Sequence, residues 1–243
     1  MNFILDVHCH TVSSGHAYST ISENAEHAAS IGLTHIGMAD HSGEAMPGGA
    51  HIYHFVNIWS MPLVIKGIRV LKGVEANIMN PQGYIDMTDD MLSTLEFVIA
   101  SMHRGVIAPT NCEDHTHALV NAMNNPHVHI IGHPVGAWYD VDIEEVVKAA
   151  ARTRTILEIN AKSVDPISLR YNGDEDTKLM IKLCKEYKVP VLASSDAHFC
   201  TDVGDFGKAK TLIEAAEMDE ELVLNTSIDR FLSAIQRKKE LII

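Results

Sequence analysis

The stretch DVHCHTVSSGHAYST, residues 6–20, follows the apolar run FIL and carries three histidines within nine positions. Residues i and i+2 of a β-strand point to the same side, so His8 and His10 at the end of a strand can bind one ion while Cys9 faces away. His16 lies farther along the chain. Such a pair of histidines is weak evidence alone, and the rest of the sequence decides whether a metal site forms.

Short β-rich runs alternate with helical patterns along the chain, which is typical of βα units around a parallel sheet. Seven runs are predicted strands, and their mostly apolar composition suits strands that are buried on both faces. They cover residues 2–7, 35–40, 69–76, 97–102, 128–133, 155–160 and 190–196. With a length of 243 residues, this pattern predicts a single domain, residues 1–243, that folds as an α/β barrel.

Sequence signals also predict the connections between these strands. Helices are expected over residues 54–65, 142–153, 174–187, 206–217 and 227–237. TISE (20–23) and TNCE (110–113) each predict a capping box, in which Thr accepts from a first-turn amide and Glu reaches back. NPQGYID (80–86) predicts a turn that adds a small hairpin. The basic end RKKELII (237–243) is expected to be a terminal helix end or an oligomer contact.

Metal-binding residue types recur at the carboxyl-terminal ends of the predicted strands. In a parallel barrel these ends open onto one face, where enzymes of this architecture build their sites. Six of the seven strands deliver such a residue there. The residues are His8, His10, His41, Glu75, His103, His133, Asp196 and His198. This repeated placement favours a joint site over separate core histidines.

The other histidines do not share this placement. His115 and His117 lie two apart on a predicted helix, where side chains diverge, so both are expected to face solvent. His51 and His54 lie in the glycine-bearing loop after His41 and are candidates for a contact behind the metal ligands or for a substrate lid.

Seven histidines, Glu75 and Asp196 exceed the needs of one ion, because zinc is usually four-coordinate and a catalytic site keeps a position for water. The set predicts a cluster of two or three ions with a bridging carboxylate. Nitrogen-rich ligation favours Zn, Mn or Fe over Mg or Ca and does not select among the first three. Such clusters activate water and clamp the oxygens of an in-line displacement, which predicts hydrolysis of a phosphate ester.

Composition excludes several other classes of function. The formal charge of −13 has the wrong sign for a surface that neutralises nucleic-acid phosphates, so nucleic acid is not an expected partner. No apolar run approaches the roughly 20 residues of a membrane helix, so no membrane is expected. The four cysteines show no CxxC spacing and no leader pattern precedes Asp6, which predicts a reduced, cytoplasmic protein.

The motifs DVHCH, ADH, GVEA, ASMH, IIGHP, EIN and SSDAH follow one another in an order that resembles the polymerase and histidinol phosphatase (PHP) superfamily. The resemblance covers nearly the whole chain. HAYST, GVEANI, and SDAH followed by GDF are similar to the small, single-domain bacterial PHP phosphatases. The resemblance implies a distorted (β/α)7 barrel that holds three zinc ions, with Mn2+ or Fe2+ as alternatives. It also implies a small-molecule phosphate monoester as substrate and a homotrimer as assembly.

The resemblance further implies which residue binds which ion. One ion would take His8, His10, Glu75 and Asp196. Glu75 would bridge to a second ion held by His103 and His133, and a third ion would take His16, His41 and His198. A hydroxide on the metal would be the nucleophile, so Cys9 and Ser195 are expected to be structural.

Phosphate oxygens require donors, and Arg170 in ISLRYNGDED (167–176) is the first candidate, because arginine forms a forked contact with phosphate and this position matches a basic site of the resembling phosphatases. Arg104 and Lys162 are weaker candidates, and Asn160 is expected to orient a loop or a ligand. Glu75, Asp196 and Arg170 are therefore the expected catalytic residues.

A metal-dependent phosphomonoesterase is the leading hypothesis. Histidinol-phosphate hydrolysis and phosphodiesterase or nuclease activity are alternatives within the superfamily, and the acidic chain disfavours a nuclease. An amidohydrolase-like enzyme that cleaves C–N bonds is disfavoured because Glu75 takes the place of a carboxylated lysine. A metal-stabilised module without catalysis is an alternative of another class, which the complete ligand set disfavours.

Overall fold

The structure is a computed structural model that describes residues 1–171 and 173–240. Its strands are β1 (Leu5–Cys9), β2 (His35–Met38), β3 (Val64–Ile65), β4 (Ile68–Asn77), β5 (Phe97–Ser101), β6 (Ile130–Ile131), β7 (Ile156–Asn160) and β8 (Val191–Ser194). Seven of them pair in parallel in the order β1-β2-β4-β5-β6-β7-β8, while β3 pairs antiparallel with β4. The expected α/β barrel of seven parallel strands is confirmed.

Eight α-helices lie in the described part of the chain. They are α1 (Ile21–Ser30), α2 (Ile52–Val56), α3 (Asp89–Ser93), α4 (Cys112–Met123), α5 (Ile143–Thr153), α6 (Glu175–Tyr187), α7 (Gly207–Ala215) and α8 (Ile228–Lys239). The prediction of a helix over 54–65 is wrong, because α2 ends at Val56 and the backbone of Met61 is extended. Pro62 follows Met61 and disfavours a helical conformation there. Among the described helices, none is long and apolar enough to cross a bilayer.

Most of the other local expectations are confirmed. Thr20 and Glu23 form the capping box at α1, and Ile78 and Ile85 form an antiparallel bridge around the turn at 80–86. The last three residues of RKKELII lie outside the described residues.

Two expectations near α4 are wrong. The N-cap of α4 is Asn111, which accepts from the Asp114 amide at 2.9 Å, so the capping box at 110–113 does not form. His115 is buried rather than solvated, because its ring accepts from the Thr110 amide at 2.8 Å and its Nδ1 lies 2.9 Å from the Asp140 carbonyl oxygen. His117 is exposed as expected.

A buried apolar cluster fills the amino-terminal end of the barrel. It joins first or second residues of five strands to one face of α8, so this helix covers that end. The Phe97 ring lies where a Cβ on Gly73 would stand only 2.3 Å from it, which explains the absence of a side chain at Gly73. Closing this end leaves the carboxyl-terminal end of the strands as the open face. The cluster contains Leu5, Val7, Ala39, Leu71, Phe97, Ile99, Ile130, Ile156, Leu192, Leu224, Phe231, Ala234 and Ile235.

The seam between β1 and β8 is closed without a regular ladder. At its carboxyl-terminal end the backbones of Cys9 and Ala197 form a parallel bridge. At the other end the buried Asn225 side chain donates to the carbonyls of Leu5 at 3.1 Å and Ala193 at 2.8 Å, and it accepts from the Ala193 amide at 2.8 Å. One side chain therefore replaces the backbone hydrogen bonds that a paired strand would supply.

Replacing Asn225 with Ala should lower the free energy of unfolding by about 2–4 kcal/mol, because buried backbone groups lose their partners. Urea unfolding measures this, and Asn57→Ala at an exposed position is the matched control. Equal stability of the two variants would show that Asn225 does not hold the seam.

Candidate metal centre

The carboxylate of Glu75 in β4 is fully buried at the centre of a group of imidazoles. Five histidine nitrogens lie within 3.5 Å of its two oxygens. From Oε1 the distances are 3.0 Å to His133 Nε2 and 3.2 Å to His103 Nε2. From Oε2 they are 2.8 Å to His41 Nδ1, 3.3 Å to His8 Nε2 and 3.5 Å to His10 Nε2.

Asp196 extends this group on the side of β8. Its Oδ1 lies 3.1 Å from His10 Nε2 and 3.6 Å from His198 Nδ1, and its other oxygen accepts from Arg170. His198 Nε2 lies 2.9 Å from His16 Nε2, and His16 is exposed at the mouth. The structure thus brings all nine expected metal ligands into one cluster at the open end of the barrel.

Two of these residues have a strained backbone. His133 and Asp196 have φ angles of 29° and 53°, in the left-handed region that non-glycine residues rarely adopt. Such strain persists only where surrounding contacts hold it, and it concentrates at functional sites. Here the His133 amide donates to Glu158, and Asp196 is held by Arg170 and Asn160.

Glu158 supports the cluster from behind and was not singled out from the sequence. It is buried in β7, where one oxygen lies 2.6 Å from His8 Nδ1 and the other accepts from Asn160 at 3.0 Å. A carboxylate on Nδ1 keeps the proton there and directs the Nε2 lone pair into the site. The E-x-N spacing in EIN was the available signal, because Glu158 and Asn160 are two apart on one strand.

Ser14 and Asp40 form a second support that sequence reasoning missed. Ser14 Oγ donates to Asp40 at 2.7 Å, and it accepts from the His41 amide at 3.1 Å and from His10 Nδ1 at 3.0 Å. Since the hydroxyl proton is given to Asp40, the ring proton of His10 must lie on Nδ1. The Nε2 of His10 therefore faces Asp196 with a free lone pair. His54 Nε2 lies 3.2 Å from Asp40, so this histidine, which was expected in a loop and lies in α2, is placed behind the ligands.

A third support reaches His103 through an amide. Its Nδ1 lies 2.8 Å from Asn77 Oδ1, and Asn77 Nδ2 donates to Asp86 at 2.6 Å. His8, His10 and His103 therefore each have a carboxylate behind them, either directly or through one group, and each presents Nε2 to Glu75. This is the usual arrangement of metal-binding histidines.

The electrostatics of the cluster also suit cation binding. Burial and the neighbouring His41 lower the pKa of His10 to about 3, and burial lowers the pKa of His103 to about 4. Both rings are neutral at pH 7 and have a lone pair for a metal. Burial alone would raise the pKa of Glu75, but the neighbouring His8 and His103 hold that pKa well below its usual range.

Four buried atoms in the cluster make no hydrogen bond with any described residue: His8 Nε2, His41 Nδ1, His103 Nε2 and Glu75 Oε2. A buried polar atom without a partner is costly, and a bound cation would satisfy all four. Three overlapping groups have ligand atoms within 4.8 Å of one another: His8, His10 and Glu75; His10, His41 and His198; His41, Glu75 and His103. Each of these groups could hold a metal ion.

The remaining candidates have clear positions. Arg170 is beside Asp196, Lys162 lies 3.4 Å from Asp202, and Asn160 accepts from the Lys162 amide at 2.9 Å. Cys9 is buried with its thiol toward the Asp6 carbonyl, and the Ser195 hydroxyl donates to the Asp6 carboxylate. Each side chain therefore has its hydrogen-bond partner at Asp6 rather than in the cluster.

Known protein families and relatives match nearly the whole chain. The PHP domain family matches residues 6–162 and the PHP-associated family matches residues 176–239. A probable phosphatase of Caldanaerobacter subterraneus is 45% identical over 241 residues, covering 99% of this chain and 94% of that protein. A probable phosphatase of Acetivibrio thermocellus is 41% identical over 240 residues, covering 99% and 98%.

A solved structure shares the fold. Histidinol phosphate phosphatase from Lactococcus lactis, complexed with zinc, L-histidinol and phosphate, superposes with a TM-score of 0.58 at 18% identity. The match covers 88% of this chain and 94% of that one.

Replacing Ser14 with Ala should weaken zinc binding about 10-fold to 100-fold, because His10 loses the contact that fixes its proton on Nδ1. Chelator competition followed by elemental analysis measures the affinity, with Ser13→Ala as the control. Unchanged zinc affinity in Ser14→Ala would contradict the role given to this hydroxyl.

Proposed function

Since the chain belongs to the PHP domain family, we propose that it is a metal-dependent phosphatase that hydrolyses a small-molecule phosphate monoester. The observation that carries the proposal is the buried cluster of imidazoles and carboxylates around Glu75 at the open end of the barrel. The relatives named as probable phosphatases support the reaction class, and the zinc in the Lactococcus enzyme supports the metal.

The proposed centre holds three zinc ions, and Mn2+ or Fe2+ would suit the same nitrogen-rich donors. Its ligands are His8, His10, His16, His41, Glu75, His103, His133, Asp196 and His198. Glu75 offers one oxygen to His103 and His133 and the other to His8 and His41, which supports its assignment as the bridge.

We also propose that residues 1–243 act as one domain. Both matched segments supply proposed ligands. Asp196 and His198 lie in the segment 176–239, and the other seven ligands lie in the segment 6–162. A site built from both segments requires them to fold together.

Divalent ions in such a site supply an activated water and neutralise the charge of the phosphoryl group. The chain itself orients the phosphate. Arg170 is 16% exposed beside Asp196, so its guanidinium reaches the mouth and can donate two parallel hydrogen bonds to phosphate oxygens. Asn160 donates to Asp196 at 3.2 Å and so holds that carboxylate in place. With Cys9 and Ser195 turned to Asp6, neither is assigned the role of a nucleophile.

Two features favour a monoester over the alternatives. The acidic chain, with a charge of −13, disfavours a nuclease or another enzyme of polyanionic diesters. The strained backbones of His133 and Asp196 and the three supporting carboxylates disfavour a purely structural metal module. The Lactococcus enzyme shares the fold at 18% identity, so histidinol phosphate is one substrate to test among several.

The direct experiment measures phosphate release from a panel of phosphomonoesters, with a phosphodiester and an amide as controls, alongside the metal content of each sample. Zinc-loaded protein should hydrolyse monoesters, and Glu75→Gln should lose both metal and at least about 100-fold in turnover, because a neutral amide bridges cations poorly. His117→Ala, at an exposed position on α4, should retain both.

Two results would contradict this assignment. Zinc-loaded protein that releases no phosphate from any monoester would exclude the phosphatase. Full metal content and full turnover in Glu75→Gln would exclude the bridge.

A further inference from the structure

We propose that Arg104 and Trp138 form a subsite for a second anionic group, so that the preferred monoester carries a carboxylate or a similar charge on its alcohol part. This inference rests on the proposed function, because it places the scissile phosphate at Arg170 and the metal centre. It deepens that function by naming a class of substrate.

Arg104 stands at the mouth because it directly follows His103, whose ring contacts Glu75. Its side chain is exposed and lies over the indole of Trp138, with Cζ 5.6 Å from the ring centroid. Arg170 lies over the same indole, with Cζ at 5.8 Å. Two guanidinium groups therefore share one aromatic ring beside the metal centre.

The charge of Arg104 is available to a ligand. Within residues 1–171 and 173–240 it forms no ion pair, whereas Arg69, Arg152, Arg154 and Arg230 each pair with a glutamate. The contact with Trp138 also restricts the side chain, so less conformational freedom is lost when an anion binds. In a protein of charge −13, a guanidinium that is held in place and has no counter-ion is suited to recognise an anionic ligand.

The two guanidinium groups beside Trp138 restrict where the substrate can lie. Met102, His133, Trp138, Tyr139 and Arg170 line a recess of about 10 Å³, which is too small for an ester and does not include Arg104, so the substrate would lie outside it. The carbon part of the substrate would lie at the mouth beside Trp138, between the phosphate at Arg170 and a second anion at Arg104. A cationic alcohol part would meet repulsion at the same place.

The test compares three esters: phenyl phosphate, 4-carboxyphenyl phosphate and 4-(aminomethyl)phenyl phosphate. Zinc-loaded wild-type protein and Arg104→Gln are assayed, with Arg152→Gln on the exposed face of α5 as the control. Because the leaving groups differ in intrinsic reactivity, the informative quantity is the change in the kcat/KM ratio of carboxylated to plain ester between wild type and variant.

Arg104→Gln should lower that ratio about fivefold through KM, in line with an exposed charge pair, and should raise the relative rate of the aminomethyl ester. The preference of the wild type for the carboxylated ester should decrease at high salt, because salt screens the attraction between Arg104 and the carboxylate. Arg152→Gln should retain the wild-type ratio. Arg170→Gln should lower kcat/KM for all three esters, because Arg170 is placed at the phosphate that they share.

The outcomes separate the two claims. If all esters are turned over and the kcat/KM ratio of carboxylated to plain ester is the same in wild type and Arg104→Gln, the proposed subsite is overturned and the phosphatase assignment stands. No turnover of any ester by zinc-loaded wild type would overturn the phosphatase and the subsite with it.

Discussion

The site depends on one buried charge. Glu75 is fully buried in β4, and a carboxylate in a protein interior is stable only when opposite charge or several hydrogen bonds compensate it. The chain surrounds Glu75 with five imidazoles and leaves its Oε2 without a hydrogen bond to the described residues. Bound cations would complete this arrangement, because they would satisfy Glu75 and the inward-facing nitrogens together. Metal binding and local stability are therefore coupled.

A second layer of acids makes this geometry specific. Glu158, Asp40 and Asp86 reach His8, His10 and His103 from behind, directly or through Ser14 and Asn77. Each support fixes one ring proton on Nδ1, so the rings are oriented before any ion binds. The barrel allows this because α8 fills one end with apolar side chains and leaves the other end to polar ones. The strained φ angles of His133 and Asp196 lie at that polar end.

Much of the fold and the positions of the candidate ligands could be predicted from the sequence, because both follow from short-range patterns. Apolar runs predicted the parallel strands, and a strand end followed by His, Glu or Asp placed Glu75 and His103 on one face. The helix expected over 54–65 was wrong because Pro62 ends the pattern, and His115 was misplaced because its partners are backbone groups of two loops. Glu158 was missed because its partner His8 is 150 residues away. Sequence spacing does not report contacts across the barrel.

The most direct test of the metal centre is a crystal structure of zinc-loaded protein with anomalous diffraction measured at the zinc edge. Three peaks are expected at the open end of the barrel, two of them bridged by Glu75 and each about 2.0–2.1 Å from its histidine nitrogens. Zinc-containing crystals with no peak within ligand distance of Glu75 would contradict it.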